Sequence, residues 1–254
     1  MVIEESHKYG DIVQGAFYDS YRNLTLKHIM GLTWALKYCS QSQLVLKIDD
    51  DIFVNFPLLD QYLAENYPKS TSDPLIVRVN HKMIACFVQK RMKVLRNTTS
   101  KWFVSPNEFP EDYFPDFCSG WGYLTTMFTI NDLLKQVPNN LPPFWIDDVY
   151  VTGILREINS DIVLESMNKW FNIDVLNLYK WIEMQRFKYK WRYLFSNTNG
   201  DIALLQSSFR LNKLCYAREE KCMCCFPPFK RLEENKLLKP IKPHADIRMY
   251  KISN

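Results

Sequence analysis

An α/β fold, a mixed sheet flanked by helices, is the class this sequence predicts. Short aliphatic runs of strand length, such as Leu44-Val45-Leu46-Lys47-Ile48, are bounded by turn residues. Between such runs lie segments whose apolar residues recur with helical spacing, as at Leu26, Ile29, Met30 and Trp34. The two kinds of segment alternate through the first half of the chain, which is the order of a sheet covered by helices.

Taken in order, a short strand is expected around Asp11-Ile12-Val13. Asn23 is a good N-cap for the helix after it. Residues 41–48 read as a turn and then a buried strand. Pro57 suits the first turn of another helix, with Leu58, Leu59, Tyr62 and Leu63 inward. Residues 70–74 read as a loop and 75–79 as a strand. Residues 102–123 are rich in Pro, aromatics and acids, and read as a loop-heavy functional surface. Asn131 can cap a helix carrying Leu133, Leu134 and Val137, and residues 138–143 form a linker. Val151, Ile154, Leu155 and Ile158 again have helical spacing, which puts Asp147 and Asp148 at a helix start.

The texture changes at about Asn172, so residues 1–171 are expected to form the main domain and 172–254 an extension of unknown role. Residues 187–193 alternate aromatic and basic. Period two predicts a strand with one aromatic face, and Asn199-Gly200 would turn it into a hairpin. Stacking on nucleic acid would use the same pattern. Ordinary solvent-facing Lys and Arg explain it more simply, because the formal charge of the 254-residue chain is only +4. No nucleic-acid partner is expected. The closing Lys and Pro residues, 236–243, suit a poorly ordered terminus.

Composition narrows the class. The apolar share of 47% is ordinary for a globular protein, and 7 Gly argue against a repeat-built chain. No apolar run is long enough to span a bilayer. The first residues have neither the basic nor the apolar region of a signal peptide. Cys215, Cys222, Cys224 and Cys225 crowd together, but their C-x-C-C spacing is not that of a zinc finger. Disulfides suit the cysteines if the chain is lumenal. N-x-T sequons stand at Asn23 and Asn97.

Two acidic features carry the chemistry. Asp49, Asp50 and Asp51 come directly after the strand-like run, at the strand end where open α/β sheets bind ligands. Adjacent carboxylates repel, and a hard cation among them lowers that cost. Oxygen ligands suit Mg²⁺ or Mn²⁺, and these suit phosphate-bearing substrates. Asp is equally at home in solvated turns, but Ile52-Phe53-Val54 returns at once to buried chain. Asp147 and Asp148 form the second feature. A helix N-terminus keeps a carboxylate ionised, although an N-cap role accounts for the same residues.

The surroundings of both features complete a pattern. In order stand Tyr9-Gly10-Asp11-Ile12-Val13-Gln14, Asp19-Ser20-Tyr21-Arg22-Asn23-Leu24-Thr25-Leu26-Lys27, and Lys47-Ile48-Asp49-Asp50-Asp51-Ile52-Phe53-Val54-Asn55. Then come Lys101-Trp102-Phe103-Val104, Tyr113-Phe114-Pro115, Cys118-Ser119-Gly120-Trp121-Gly122-Tyr123, and Asp147-Asp148-Val149-Tyr150-Val151-Thr152-Gly153. This ordered set, over roughly residues 3 to 160, resembles glycosyltransferase family 31. That is the β-1,3-galactosyltransferase and β-1,3-N-acetylglucosaminyltransferase family, brainiac-like enzymes included.

The resemblance implies a GT-A-like fold, a Golgi membrane location with the domain on the lumenal side, a UDP-sugar donor and Mn²⁺, with Mg²⁺ as a substitute. It implies inverting transfer to the 3-hydroxyl of an acceptor glycan on protein or lipid. Asp51 and Asp49 would hold the metal, and Asp49, Asp50 and Lys47 would face the donor. Asp148 would be the catalytic base, with Asp147 second. Trp102, Gly120, Trp121 and Tyr123 would line the donor and acceptor cleft. The chain starts just before the Tyr9 block, so the domain is expected to lack its first β-α segment and its anchor. Some members complete the metal shell with a histidine after the base motif, where this chain has only His244. A truncated, non-catalytic relative that binds glycan or a partner enzyme is the alternative.

Overall fold

The computed structural model describes residues 2–67, 79–138, 143–159, 161–184 and 189–217. In chain order the elements are α1 (Val2–Tyr9), α2 (Leu24–Tyr38), β1 (Leu44–Ile48), β2 (Ile52–Val54), α3 (Phe56–Asn66), β3 (Met83–Gln89), β4 (Phe117–Thr126) and α4 (Met127–Lys135). They continue with α5 (Leu155–Ile158), β5 (Val163–Ser166), β6 (Phe171–Asn172), α6 (Val175–Glu183), β7 (Phe195–Asn197) and α7 (Ile202–Ala217). This is the mixed α/β architecture that the alternating segments predict. No helix among the described residues is long and apolar enough to cross a membrane.

The main sheet has four strands in the order β1-β4-β3-β5. β4 runs antiparallel to both neighbours, and β5 pairs parallel with β3. Both faces are covered, so the central strands are buried along most of their length. Along β3, Ile84, Cys86 and Val88 enter one core with α2 and α4, while Met83 and Ala85 enter the opposite core. That is the period-two alternation of a strand. A disulfide joins Cys86 to Cys118 across β3 and β4.

β4 is not regular. Cys86 pairs with Tyr123, yet Val88 pairs with Cys118. Residues 119–122 stand opposite Phe87 alone and form a bulge, which bends a strand and re-aims its groups. Gly122 lies where β1 comes closest. A Cβ there would stand 2.9 Å from the Lys47 carbonyl and 3.0 Å from the Ile48 side chain.

Several sequence expectations are met. Asn55 caps α3, its side chain accepting from Leu58 N, and Leu59 is buried on the inward face. α2 forms as expected, but the stripe it buries is Thr25, His28, Leu32 and Ala35, while Leu26, Ile29 and Met30 are half-buried and Trp34 is exposed. Others are corrected. Residues 11–13 are not a strand: Val13 is exposed, and no strand among the described residues pairs with it. The loop reading holds for 102–116, where Arg96 donates to the carbonyls of Val104, Phe109 and Glu111. From Phe117 onward the segment is β4. α4 is capped by Thr126, whose hydroxyl accepts from Thr129 N, and Asn131 lies inside the helix. The strand expected at 75–79 falls outside the described residues, apart from buried Val79.

The segment read as an extension is woven into the body as far as it is described. β7 pairs antiparallel with β2 and parallel with β6, giving a second sheet in the order β2-β7-β6. Phe53 of β2 shares a core with Leu178, Trp181, Trp191, Leu204 and Leu211. Residues 187 and 188 lie outside the described residues and 190–193 do not form the expected strand, but the aromatic side chains from Tyr189 to Tyr193 do turn inward. Trp191 is fully buried, and Tyr189 and Tyr193 pack beside it. The turn at Asn199-Gly200 also forms, with φ of 53° and 76°. It leads into α7 and not into a hairpin, because Asp201 accepts from Leu204 N and caps that helix. Cys222, Cys224, Cys225, His244 and the terminal Lys and Pro residues lie outside the described residues.

Candidate active site

β1 ends at the acidic triplet, and the bulge of β4 lies directly beside it. Lys47, the penultimate residue of β1, donates from Nζ to Asp49 Oδ1 at 2.5 Å and to the Gly120 carbonyl at 2.6 Å. Asp49 N donates to the Trp121 carbonyl. One cation thus ties the start of the triplet to the bulge. Asp50 is exposed. The Asp51 carbonyl accepts twice from Thr198, from its backbone N–H at 3.1 Å and its hydroxyl at 2.7 Å. Burial, then the charges of Asp49 and Asp50, hold the Asp51 carboxyl above its usual range.

The second acidic feature opens a helical stretch at Asp147 that continues through a π-helical turn, Val149–Ile154, into α5. π-turns recur at functional sites because they re-aim side chains. Asp148 Oδ1 accepts from Val149 N at 2.8 Å and Oδ2 accepts from Gly120 N at 3.0 Å. Burial, reinforced by the charge of Asp147, pushes the Asp148 carboxyl up to about 7. Asp147 goes the other way. Burial alone would raise it, but the hydrogen bond with His28 holds it below the usual carboxylate range.

Gly120 is where the two features meet. A Cβ on it would lie 3.4 Å from Asp148 Oδ2 and 3.7 Å from Asp49 Oδ2. The two carboxylates therefore flank one small space, which the missing side chain keeps open.

The other expected cleft residues divide. Trp102 is about half exposed, and its indole N–H donates to the Tyr21 hydroxyl at 2.8 Å. The Tyr21 phenol is raised first by burial, and the charges of Asp148, Asp147 and Asp49 add to this. Tyr21 and Trp102 thus stand on the rim of the acidic centre. Trp121 contributes its backbone, while its ring packs against Phe87 and Phe171 in the core. Tyr123 is buried, and its hydroxyl meets His28 and not open space. The sequence reading missed His28, Tyr21 and Thr198. Tyr21 stands inside a motif block, but a lone His on an apolar helix face and a Thr in the tail give no local sign.

At 97–99 the sequon is exposed, with Asn97 Oδ1 accepting from Thr99 N and Oγ1. At 23–25, Asn23 Nδ2 donates to the Tyr18 carbonyl, and the buried Thr25 hydroxyl donates to the Phe144 carbonyl at 2.7 Å.

A galactosyltransferase family model matches residues 1–167. The chain is 36% identical to beta-1,3-galactosyltransferase 5 of Pan paniscus over 163 residues, 62% of this chain and 48% of the relative. It is 33% identical to beta-1,3-galactosyltransferase 2 of Homo sapiens over 162 residues, 64% of this chain and 36% of the relative. It therefore spans half or less of the length of these curated relatives. A solved glycosyltransferase involved in glycosylating the major capsid of PBCV-1 aligns with 84% of this chain and 88% of its own, at 12% identity and a TM-score of 0.37. The chain belongs to the galactosyltransferase family.

Proposed function

We propose that this chain is an inverting, metal-dependent β-1,3-glycosyltransferase. It moves galactose or N-acetylglucosamine from a UDP-sugar to the 3-hydroxyl of an acceptor glycan on protein or lipid. The observation that carries the reading is the space at Gly120, bordered both by the strand-end carboxylate of Asp49 and by Asp148. Single-displacement inversion needs the charge-bearing leaving group and the base on opposite sides of the reacting carbon. The names of the relatives support galactose as the sugar moved.

The donor atoms of the triplet fit a hard divalent cation such as Mn²⁺, with Mg²⁺ as a substitute. They are carboxylate oxygens, and Asp51 carries the repulsion that a cation would relieve. Among the described residues, no three His, Cys, Asp or Glu gather into a ready cage. Asp51 and Asp49 would hold such a cation. When bound, such a cation neutralises charge on the departing diphosphate. Lys47 holds Asp49 in register and adds positive charge beside the donor. Asp148, aimed by two backbone N–H groups, takes the proton of the acceptor hydroxyl. Tyr21 and Trp102 offer rim surface for a sugar ring.

Calorimetry with UDP, with and without Mn²⁺, and then turnover of a UDP-sugar panel, tests this reading. Metal-dependent UDP binding is expected in the unaltered chain, and Asp51→Ala should abolish both binding and turnover. Equal UDP binding with and without metal would overturn it.

The buried Cys86–Cys118 bridge suits an oxidising compartment and supports a Golgi-lumenal location. In a secretory host, Asn97→Gln is expected to remove one glycan from the intact mass. Asn23→Gln is expected to leave the mass of the glycans unchanged, because Asn23 and Thr25 are both engaged by the fold. A glycan found at Asn23 would contradict the second expectation.

A further inference from the structure

His28 lies 119 residues from Asp147 in the chain, yet its Nδ1 is 2.9 Å from Asp147 Oδ2. Its Nε2 is 2.6 Å from the Tyr123 hydroxyl, and the two rings stack with centroids 5.7 Å apart. Both side chains are buried: His28 is 7% exposed and Tyr123 2%. The relay thus runs from β4 through α2 to the acid pair.

The protons of this relay can be placed. Burial, then the charge of Asp147, raises the Tyr123 phenol far above its usual range, so it keeps its proton. Among the described residues, that O–H meets His28 Nε2. If Nε2 accepts, the imidazole proton sits on Nδ1 and is donated to Asp147. Every hydrogen is then satisfied, as buried polar groups require. The arrangement orders Tyr123 O–H to His28, and His28 N–H to Asp147, one behind the other. An imidazole whose tautomer is set by a hydroxyl on its far side is a directed donor.

We propose that His28, buttressed by Tyr123, is a positioning residue that engages Asp147 as a fixed hydrogen-bond acceptor and so confines proton removal to Asp148. Asp147 and Asp148 are adjacent acids in one buried stretch. Without a distinguishing partner the charge on each would simply oppose ionisation of the other. His28 breaks that equivalence. Protonating Asp147 would cost it the charge that strengthens the bond it accepts from the imidazole, so it is the poorer proton acceptor of the two. Asp148 is held by backbone N–H groups, which leave lone pairs on both its oxygens. The catalytic half of this proposal rests on the transferase reading above, while the hydrogen-bond half does not.

The test has two arms. Long-range ¹H–¹⁵N NMR of the imidazoles reads the tautomer directly. The chain holds 4 His, so His28→Gln assigns the signal by its disappearance. The Nδ1–H tautomer is expected in the unaltered chain, and Asp147→Ala or Tyr123→Phe should each release the Nε2–H form. An Nε2–H signal in the unaltered chain, or no change in Asp147→Ala, would overturn the relay. The kinetic arm compares His28→Leu with His28→Asn, which keeps a donor near the Nδ1 position, at matched melting temperature. His28→Leu should lower kcat by about 10–100-fold, the usual cost of losing an orienting partner, with donor KM little changed. His28→Asn should recover most of that loss. Equal kcat in the Leu variant and the unaltered chain would refute the positioning role. If the unaltered chain turns over no UDP-sugar, the transferase reading fails and the NMR arm still decides the relay.

Discussion

Asp148→Asn is expected to lower kcat by about 10²–10⁴-fold, the usual contribution of a positioned general base. Substrate KM should change little, since the carboxylate acts on a proton in flight. The pH profile gives a sharper check. A base must be ionised to act, and the Asp148 carboxyl is pushed up to about 7. Activity of the unaltered chain should therefore rise as pH rises through about 7 and level off above it. A profile already flat from pH 5 upward would place the base elsewhere.

The same shift has a stability side. A carboxyl raised in the folded state stabilises the fold below its ordinary value of 3.8, and that contribution is lost as pH rises through about 7. The Asn variant carries no such dependence. It also gives up an acceptor, because its amide NH₂ must face either Gly120 N–H or Val149 N–H. The difference in melting temperature between the two proteins is thus the measure. It should move in favour of Asp148→Asn between about pH 4 and pH 7, and then hold steady. A functional site that is less stable than it could be is common where a charge must stay buried.

Ending the chain after Met167, where the family match stops, is expected to abolish cooperative folding. β2 would lose its partner β7, and Phe53, which is wholly buried, would lose the Trp181, Trp191 and Leu204 that cover it. Truncating one such Trp to Ala alone costs about 3–5 kcal/mol. Whole domains are stable by only about 5–15 kcal/mol. Circular dichroism of the shortened chain should show no sharp thermal transition, and limited proteolysis should find no resistant core. A cooperative melt of residues 1–167 would show instead that the later segment is an ornament.

The parts of this molecule that are readable in the sequence are those whose causes are local. A five-residue aliphatic run before three acids makes β1 and the triplet visible. Pro57 behind Asn55 marks α3, and helical spacing after Asp148 places the acid pair at a helix start. β4 is hidden because its bulge, with Gly120 and Gly122, breaks the alternation that would announce it. Asn199-Gly200 forms the turn its residues favour, yet Asp201, by capping α7, makes the next element a helix. His28 is unreadable for a different reason. Its meaning lies in Tyr123 and Asp147, 95 and 119 residues downstream, and no window along the chain holds all three.

The brace on the acidic triplet spans even longer distances. Thr198 grips the Asp51 carbonyl across 147 residues, and Asn212 donates to Asn55 across 157. Contacts between such distant residues carry a large loop-closure entropy and form late in folding. On the ribosome the chain emerges N-terminus first. The loop after β1 must therefore wait, unbraced, until synthesis has passed residue 212. Until β7 has emerged, β2 leaves an unpaired edge on the strand that leads away from the acidic triplet, the kind of edge that other extended chains can pair with.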